Sequence, residues 1–263
     1  MRADKFFSEQ FGSRTKAAEA IESGLVLVNG KSIKPKTEIA DTDVITILQP
    51  EIQFVSNGGY KLHRALQTFA FDCKGKVFVD IGASTGGFTD CLLQNGAAKV
   101  YAVDVGESQL HPNLLSRQEI VVMDNTNARY LEKEDFPEYI DGIVTDVSFI
   151  SLRLIFPVIK AILSNTGTAF VLIKPQFECE NKNIGKSGIV APSAHVSIVK
   201  KVLGYLFDDG LYAHGIVNAP VRKGKNVEYV LWVKKDPMFA KSQKDILEEV
   251  GRLVKLHTLD ELK

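Results

Sequence analysis

Val77-Phe78-Val79-Asp80-Ile81-Gly82-Ala83-Ser84-Thr85-Gly86-Gly87-Phe88-Thr89-Asp90 is an apolar run that stops at a carboxylate and breaks into small, glycine-rich residues. Val77 to Ile81 is β-branched and aromatic without a turn former, the pattern of a parallel strand covered on both faces. Gly82, Gly86 and Gly87 let the backbone approach a ligand closely, and a helix opening near Gly86 or Gly87 aims free N–H groups at it. The stretch therefore reads as strand, tight turn, helix start and cofactor site. Lys99-Val100-Tyr101-Ala102-Val103-Asp104 is a second apolar strand ending in an acid, and Ile120-Val121-Val122-Met123-Asp124-Asn125 is a third. Asp80, Asp104 and Asp124 thus fall at one sheet edge, where open α/β sheets bind ligands.

The glycine spacing matches neither G-x-x-x-x-G-K-[ST] nor G-x-G-x-x-G, so a ligand without phosphates fits better. An acid at the first strand tip, small turn residues and Asp104 for a ribose diol resemble the S-adenosylmethionine-dependent methyltransferase fold. That resemblance implies a Rossmann-like, mostly parallel seven-stranded sheet, with S-adenosylmethionine held by Asp80, Gly82, Ala83, Ser84, Thr85, Gly86, Gly87, Phe88, Asp104 and Asp124. The cofactor's ammonium suits Asp80.

At 263 residues the chain has room for one large domain and a small one. Its formal net charge is zero, so any nucleic-acid site must be a local patch. Cys73, Cys91 and Cys179 are scattered without metal-ligand spacing, as expected of reduced thiols in a cytoplasmic protein, and no metal is expected. No stretch approaches the ~20 apolar residues of a membrane span, and no membrane partner is expected.

Residues 1–48 read as a small α+β domain. Asp4 caps a short helix with Phe6, Phe7 and Phe11 inward, and Ser13 caps a second with Ala17, Ala18 and Ile21 on one side. Leu25 to Val28, the turn signal Asn29-Gly30 and Lys31 to Ile33 make a hairpin, and Val44 to Leu48 adds a strand. This order, with Val-Asn-Gly-Lys in the hairpin, is similar to the RNA-binding domain named after ribosomal protein S-four. The resemblance implies phosphate contacts by Arg14, Lys16, Lys31, Lys34 and Lys36.

Residues 49–60 form a linker, 61–235 the larger domain and 236–263 a helical tail read as solvated. Lys61 falls in the first turn of an amphipathic helix carrying Leu62, Ala65, Leu66 and Phe69. Asp141 to Asp146 is a fourth strand ending in a carboxylate. Thr168 to Lys174 is a fifth, its lysine kept extended by Pro175. Glu178 to Pro192 is a loop of the kind that forms substrate lids. Glu228 starts the last strand, and if that strand is antiparallel its start lies at the functional edge.

Lys61, Asp146, Lys174 and Glu228 are therefore the candidate catalytic set. With Asp-Ile-Gly-Ala-Ser-Thr-Gly-Gly-Phe-Thr-Asp, Asp-Val-Ser-Phe-Ile-Ser and Ile-Lys-Pro-Gln-Phe-Glu, the chain resembles the TlyA family of FtsJ-type ribose 2′-O-methyltransferases. It departs from that pattern at Asn57, where relatives usually have arginine. The resemblance implies ribosomal RNA as substrate and a cytidine as target; the oligomeric state is open. Lys174 either draws the proton from the ribose hydroxyl or, charged, stabilises the developing alkoxide. Three other readings stand beside this one: an exocyclic-amine RNA base methyltransferase, a non-catalytic RNA-binding assembly factor, and a membrane-active haemolysin. Asp146-Val147-Ser148-Phe149 resembles the amine-methylating [DN]-P-P-[YF] motif but lacks both prolines.

Overall fold

The computed structural model describes residues 1–48, 52–179, 184–185, 188–220 and 224–261, with 257–261 as backbone alone. The chain forms two compact units, Met1–Gln53 and Phe54–Lys263. Part of the expected lid between Glu178 and Pro192 lies outside the described residues.

In the first unit, helices α1 (Ala3–Phe6) and α2 (Arg14–Glu22) pack on a three-stranded antiparallel sheet ordered β2-β1-β3. Its strands are β1 (Val26–Val28), β2 (Lys31–Ser32) and β3 (Ile45–Ile47). Asn29 and Gly30 both take left-handed backbone angles, φ 51° and 75°, as a two-residue hairpin turn between twisted strands requires. Ser13 caps α2 by accepting from the Lys16 amide at 3.1 Å. Ala3, Phe7, Ala17, Ile21, Val26, Val28 and Ile39 form the core. Two local expectations fail here. Arg2, not Asp4, holds the N-cap position of α1, and Asp4 is buried in the first turn between the guanidinium groups of Arg2 and Arg14. Phe6 stays exposed because a four-residue helix has one inward face, and Phe7 takes it.

The second unit is a doubly wound α/β domain. Its elements run α3 (Asn57–Thr68), β4 (Val77–Ile81), α4 (Gly87–Gln94), β5 (Lys99–Val103), α5 (Pro112–Leu115), β6 (Ile120–Met123), β7 (Ile140–Thr145) and α6 (Phe156–Ile162). Then follow β8 (Leu163–Ile173), α7 (Pro175–Glu178), α8 (His195–Asp208), β9 (Tyr212–Asn218), β10 (Tyr229–Lys234) and α9 (Gln243–Glu261). The seven strands order as β6-β5-β4-β7-β8-β10-β9. β6, β5, β4, β7 and β8 are parallel neighbours, while β10 runs antiparallel to both β8 and β9.

Alternation along the strands feeds two cores. Phe78, Phe170, Leu172 and Val230 meet Leu62, Ala65 and Leu66 of α3 and Leu92 of α4 on one face. Val79, Ile81, Val171, Ile173 and Leu231 meet α6, α8 and α9 on the other. Asn57, Gly58 and Gly59 belong to α3, so Lys61 stands in its second turn rather than its first. The glycines serve close packing: a Cβ on Gly59 would come within 2.3 Å of the Phe54 ring, and one on Gly87 within 2.2 Å of Ser56 Oγ. Among the described residues no helix is long and apolar enough to cross a membrane.

The C-terminal helix α9 is not solvated on all sides. Ile246 and Val250 are buried in the main core, with Leu247, Leu253 and Val254 packed against it. Ile246→Ala is expected to lower stability by about 2–5 kcal/mol, read from the urea midpoint. Lys244→Ala, on an exposed side chain, should change it by no more than about 0.5 kcal/mol. Equal midpoints for the two variants would show that α9 contributes no core.

Candidate active site

The C-terminal ends of the five parallel strands form one edge, and the turn after β4 sits at its switch point, between strands that connect outward in opposite directions. Gly82 and Gly86 adopt φ 82° and 86°, which an L side chain rarely tolerates. A Cβ on Gly82 would lie 3.3 Å from the Asp146 carbonyl oxygen, and one on Gly86 2.4 Å from Leu114. Ser84 and Thr85 are exposed on this turn, while Ala83 joins Ala102, Leu110 and Leu114 in a small apolar cluster beside it. Asp104 accepts from the Ser84 amide and the Gly106 amide, each at 2.8 Å, and Asp124 accepts from the Ser108 amide at 2.9 Å. A carboxylate offers about four lone pairs, so both keep acceptor capacity toward a ligand.

Asp80 and Phe88 sit differently from their expected places at the ligand surface. Phe88 is buried among α3 and α4 side chains. Asp80 is fully buried and accepts from the hydroxyl of Thr89 at 2.7 Å and from its amide, tying the first turn of α4 to the tip of β4. Its Oδ1 has no partner. Burial first, and then the neighbouring Asp146 and Asp104 charges, push its carboxyl up to about 7, against the Thr89 hydrogen bonds.

Lys61, Asp146, Lys174 and Glu228 come together from four elements. Lys174 Nζ lies 2.5 Å from Asp146 Oδ1, and Lys61 Nζ lies 3.5 Å from Asp146 Oδ2 and 2.7 Å from Glu228 Oε2. Register explains the meeting: Tyr229 of β10 pairs with Ile173 of β8, so the residues just outside that pair, Glu228 and Lys174, share an edge. Burial would depress the Lys61 ammonium, but Asp146 and Glu228 together overcome it and hold its pKa above the ordinary lysine value. Lys174 also donates to Ser148 Oγ at 2.7 Å and to the Asp146 carbonyl at 3.4 Å.

Three participants had no role in the sequence reading. Ser148 holds Lys174, Gln176 Nε2 donates to Glu228 Oε1 at 3.2 Å, and Phe149 is 90% exposed at φ 63° with its ring 4.9 Å from that of Phe177. The signal was their position within the Asp-Val-Ser-Phe and Lys-Pro-Gln-Phe blocks, two or three residues beyond the charged groups. In the first unit, Lys16, Lys31, Lys34 and Lys36 are exposed, whereas Arg14 is held by Asp4 at 3.0 Å.

Residues 54–235 match the FtsJ-like methyltransferase family, and residues 1–45 match the S4 domain. The chain belongs to the FtsJ-like methyltransferase family. It is of the TlyA type, with the S4 domain in front. It is 37% identical over 246 residues to the 16S/23S rRNA (cytidine-2′-O)-methyltransferase TlyA of Mycobacterium tuberculosis, covering 92% of each chain. It is 41% identical over 236 residues to a Brachyspira hyodysenteriae protein named Hemolysin A, covering 88% of this chain and 98% of that one. A solved structure from Streptococcus thermophilus aligns over 98% of both chains at 35% identity, with a TM-score of 0.72.

The raised Asp80 carboxyl has a thermodynamic signature. Between its ordinary value, 3.8, and about 7, the folded protein keeps a proton that the unfolded chain has released. The contribution is therefore fully present at low pH and lost as pH rises through that window, by roughly 1.4 kcal/mol per unit. Relative to Asp80→Asn, which has no titrating proton, the ligand-free protein should lose stability from about pH 4 to about pH 7 and level off above. Parallel stability curves for the two proteins would contradict this account of Asp80.

Proposed function

We propose that this chain transfers a methyl group from S-adenosylmethionine to the ribose 2′-hydroxyl of a cytidine in ribosomal RNA. The observation that carries the reading is the meeting of Lys174 with Asp146 at 2.5 Å on the sheet edge that also bears the Gly82 turn. The methyltransferase family and the TlyA relative, whose name specifies that reaction, support the choice of acceptor.

The cleft suits this cofactor. Asp104 and Asp124 give its rim an acidic character that favours a cationic ligand and opposes a dinucleotide's phosphates. Asp104, with lone pairs to spare, would hold the ribose diol, and the Gly82 to Gly87 turn would take the amino-acid end. Buried Asp80 would act by holding that turn and through its field, not by touch. When bound, S-adenosylmethionine supplies an electrophilic methyl group on a sulfonium.

The chain's own residues manage the acceptor hydroxyl. Asp146 and Ser148 fix Lys174 Nζ at the strand tip: it pairs with the Asp146 carboxylate and donates to Ser148 Oγ and the Asp146 carbonyl. A charged Lys174 would stabilise negative charge growing on the ribose oxygen. The hydroxyl proton would leave to a neutral Lys174 Nζ or, past a charged one, to water. Lys61 and Glu228 hold Asp146 from the other side, so alignment does not rest on one flexible side chain. The exposed Phe149 ring offers a stacking surface to an unpaired base. Arg14, Lys16, Lys31, Lys34 and Lys36 would contact RNA phosphates from the S4 domain, and the connection between the domains would end before α3 at Asn57 rather than at residue 60. A cytoplasmic location fits a ribosomal substrate and free thiols at Cys73, Cys91 and Cys179.

Mapping methylated riboses in ribosomal RNA with and without the protein tests the proposal. A cytidine 2′-O-methyl that appears only with the protein is expected, and label confined to base amines would point to the amine-methylating alternative. Lys174→Ala should bind S-adenosylmethionine as the wild type does and lose about 10²-fold or more in methyl transfer. Asp104→Ala should instead weaken cofactor binding, measured by calorimetry. Undiminished turnover by Lys174→Ala would remove that residue from the chemistry.

A further inference from the structure

Between the tips of β7 and β8 the chain buries a carboxylate that touches none of the four charged residues. Glu178 is 3% exposed at the end of α7. Its Oε1 accepts from the Leu152 amide at 2.7 Å, and its Oε2 accepts from the Ser151 hydroxyl at 2.8 Å. Both bonds go to one segment, the loop that leaves β7 through Asp146, Ser148 and Phe149. The nearby ammonium of Lys201 donates to the Glu178 backbone carbonyl at 3.0 Å rather than to its carboxylate. Burial accordingly raises the Glu178 carboxyl, with the Leu152 and Ser151 hydrogen bonds opposing. A desolvated carboxylate held by neutral donors is costly, and here each of its oxygens is used to fasten the same loop.

What that loop delivers makes the fastening consequential. Ser148 Oγ receives the Lys174 ammonium at 2.7 Å, and Phe149 sits at φ 63°, a backbone state unfavourable for an aromatic residue unless its surroundings impose it. The Phe149 ring meets Phe177, one residue before Glu178, at 4.9 Å. The stretch from Lys174 to Glu178 thus grips the stretch from Asp146 to Leu152 at three points: the Lys174 ammonium, the Phe177 ring and the Glu178 carboxylate.

We infer that Glu178 is a positioning residue for methyl transfer, setting Ser148 and Phe149 against Lys174 so that the acceptor ribose finds them already arranged. The inference rests on the reading under Proposed function and extends it to a residue that makes no contact with the reacting atoms. Loss of the clamp frees the loop while leaving the Gly82 turn and Asp104 in place, so the acceptor side should suffer and the cofactor side should not.

Single-turnover methylation of ribosomal subunits by the full-length protein, with S-adenosylmethionine binding measured in parallel, tests it. Glu178→Ala should slow transfer about 10- to 100-fold with cofactor affinity unchanged, as expected when a reacting group is misplaced. Glu178→Gln should recover most of the rate, since its amide oxygen still accepts from Leu152 and its NH₂ can donate to a turned Ser151 hydroxyl. Ser151→Ala, which removes one bond of the two, should fall between. Ser148→Ala should cost less in the Glu178→Ala background than in the wild type, because the two act through one loop. Wild-type rates in Glu178→Ala, independent multiplication of the Ser148 and Glu178 losses, or a parallel loss of cofactor binding would each overturn the inference. A wild type that methylates no RNA would overturn the parent reading, which a working wild type with an equally fast Glu178→Ala would leave intact.

Discussion

One carboxylate between two ammonium groups determines how the candidate catalytic edge is built. Asp146 faces Lys174 through one oxygen and Lys61 through the other, and Glu228 closes the row on the far side of Lys61. Signs alternate along the row and sum to zero. That matters because all four side chains are largely withdrawn from water, and an ion so placed costs several kcal/mol unless it is paired. Removing Asp146 would leave two adjacent cations, and removing either lysine would leave a carboxylate uncompensated. The geometry of α3, β7, β8 and β10 is therefore coupled: each must present its charge at the same height above the sheet.

The sheet meets that demand through one reversal. Parallel strands deliver only their C-terminal ends to the edge, which supplies Asp146 and Lys174 after β7 and β8. A parallel strand in the place of β10 would carry the residue preceding it to the opposite end of the sheet. Because β10 is antiparallel to β8, with Tyr229 opposite Ile173, its beginning lies beside the end of β8 and Glu228 enters the row. α3 reaches the edge by close packing instead. Gly87 at the start of α4 lets the first turn of α3 come close, since a Cβ there would run into Ser56 Oγ and the Gly59 amide, and Gly59 leaves room for the Phe54 ring.

The strands and the charged row were legible in the sequence because both follow simple rules. Apolar runs of five or six residues ending in an acid or a lysine mark parallel strand tips, and tips of neighbouring strands converge whatever the loops do. The start of α3 was hidden because two consecutive glycines read as linker, although in the fold the side chain missing from Gly59 leaves the place of the Phe54 ring. α9 read as solvated although Ile246, Val250 and Leu253 fall on one side, because an apolar stripe does not name the neighbour that covers it; α8 and β9 are that neighbour. Asp80 was assigned to the ligand on its position at a strand tip. Its side chain turns under the helix instead, capping Thr89, a choice set by which face of β4 that position occupies. Glu178, Ser148 and Gln176 make their contacts between segments that follow different strands, which no periodicity encodes.

The distribution of acids also bears on how an anionic substrate reaches an acidic cleft. A formal net charge of zero conceals a separation within the catalytic edge. On the β5 and β6 side of the switch point, Asp104 and Asp124 carry backbone amides rather than ammonium partners, so their charge is available to a cationic cofactor. On the β7 and β8 side, Asp146 and Glu228 are matched by Lys174 and Lys61, so the charge of that row is balanced. An RNA strand repelled by free carboxylates can approach the second side but not the first. The same pairing that stabilises the buried row thus gives the two halves of the cleft different electrostatic character, which suits the proposed reading of a cationic cofactor on one side and an RNA acceptor beside Lys174 on the other.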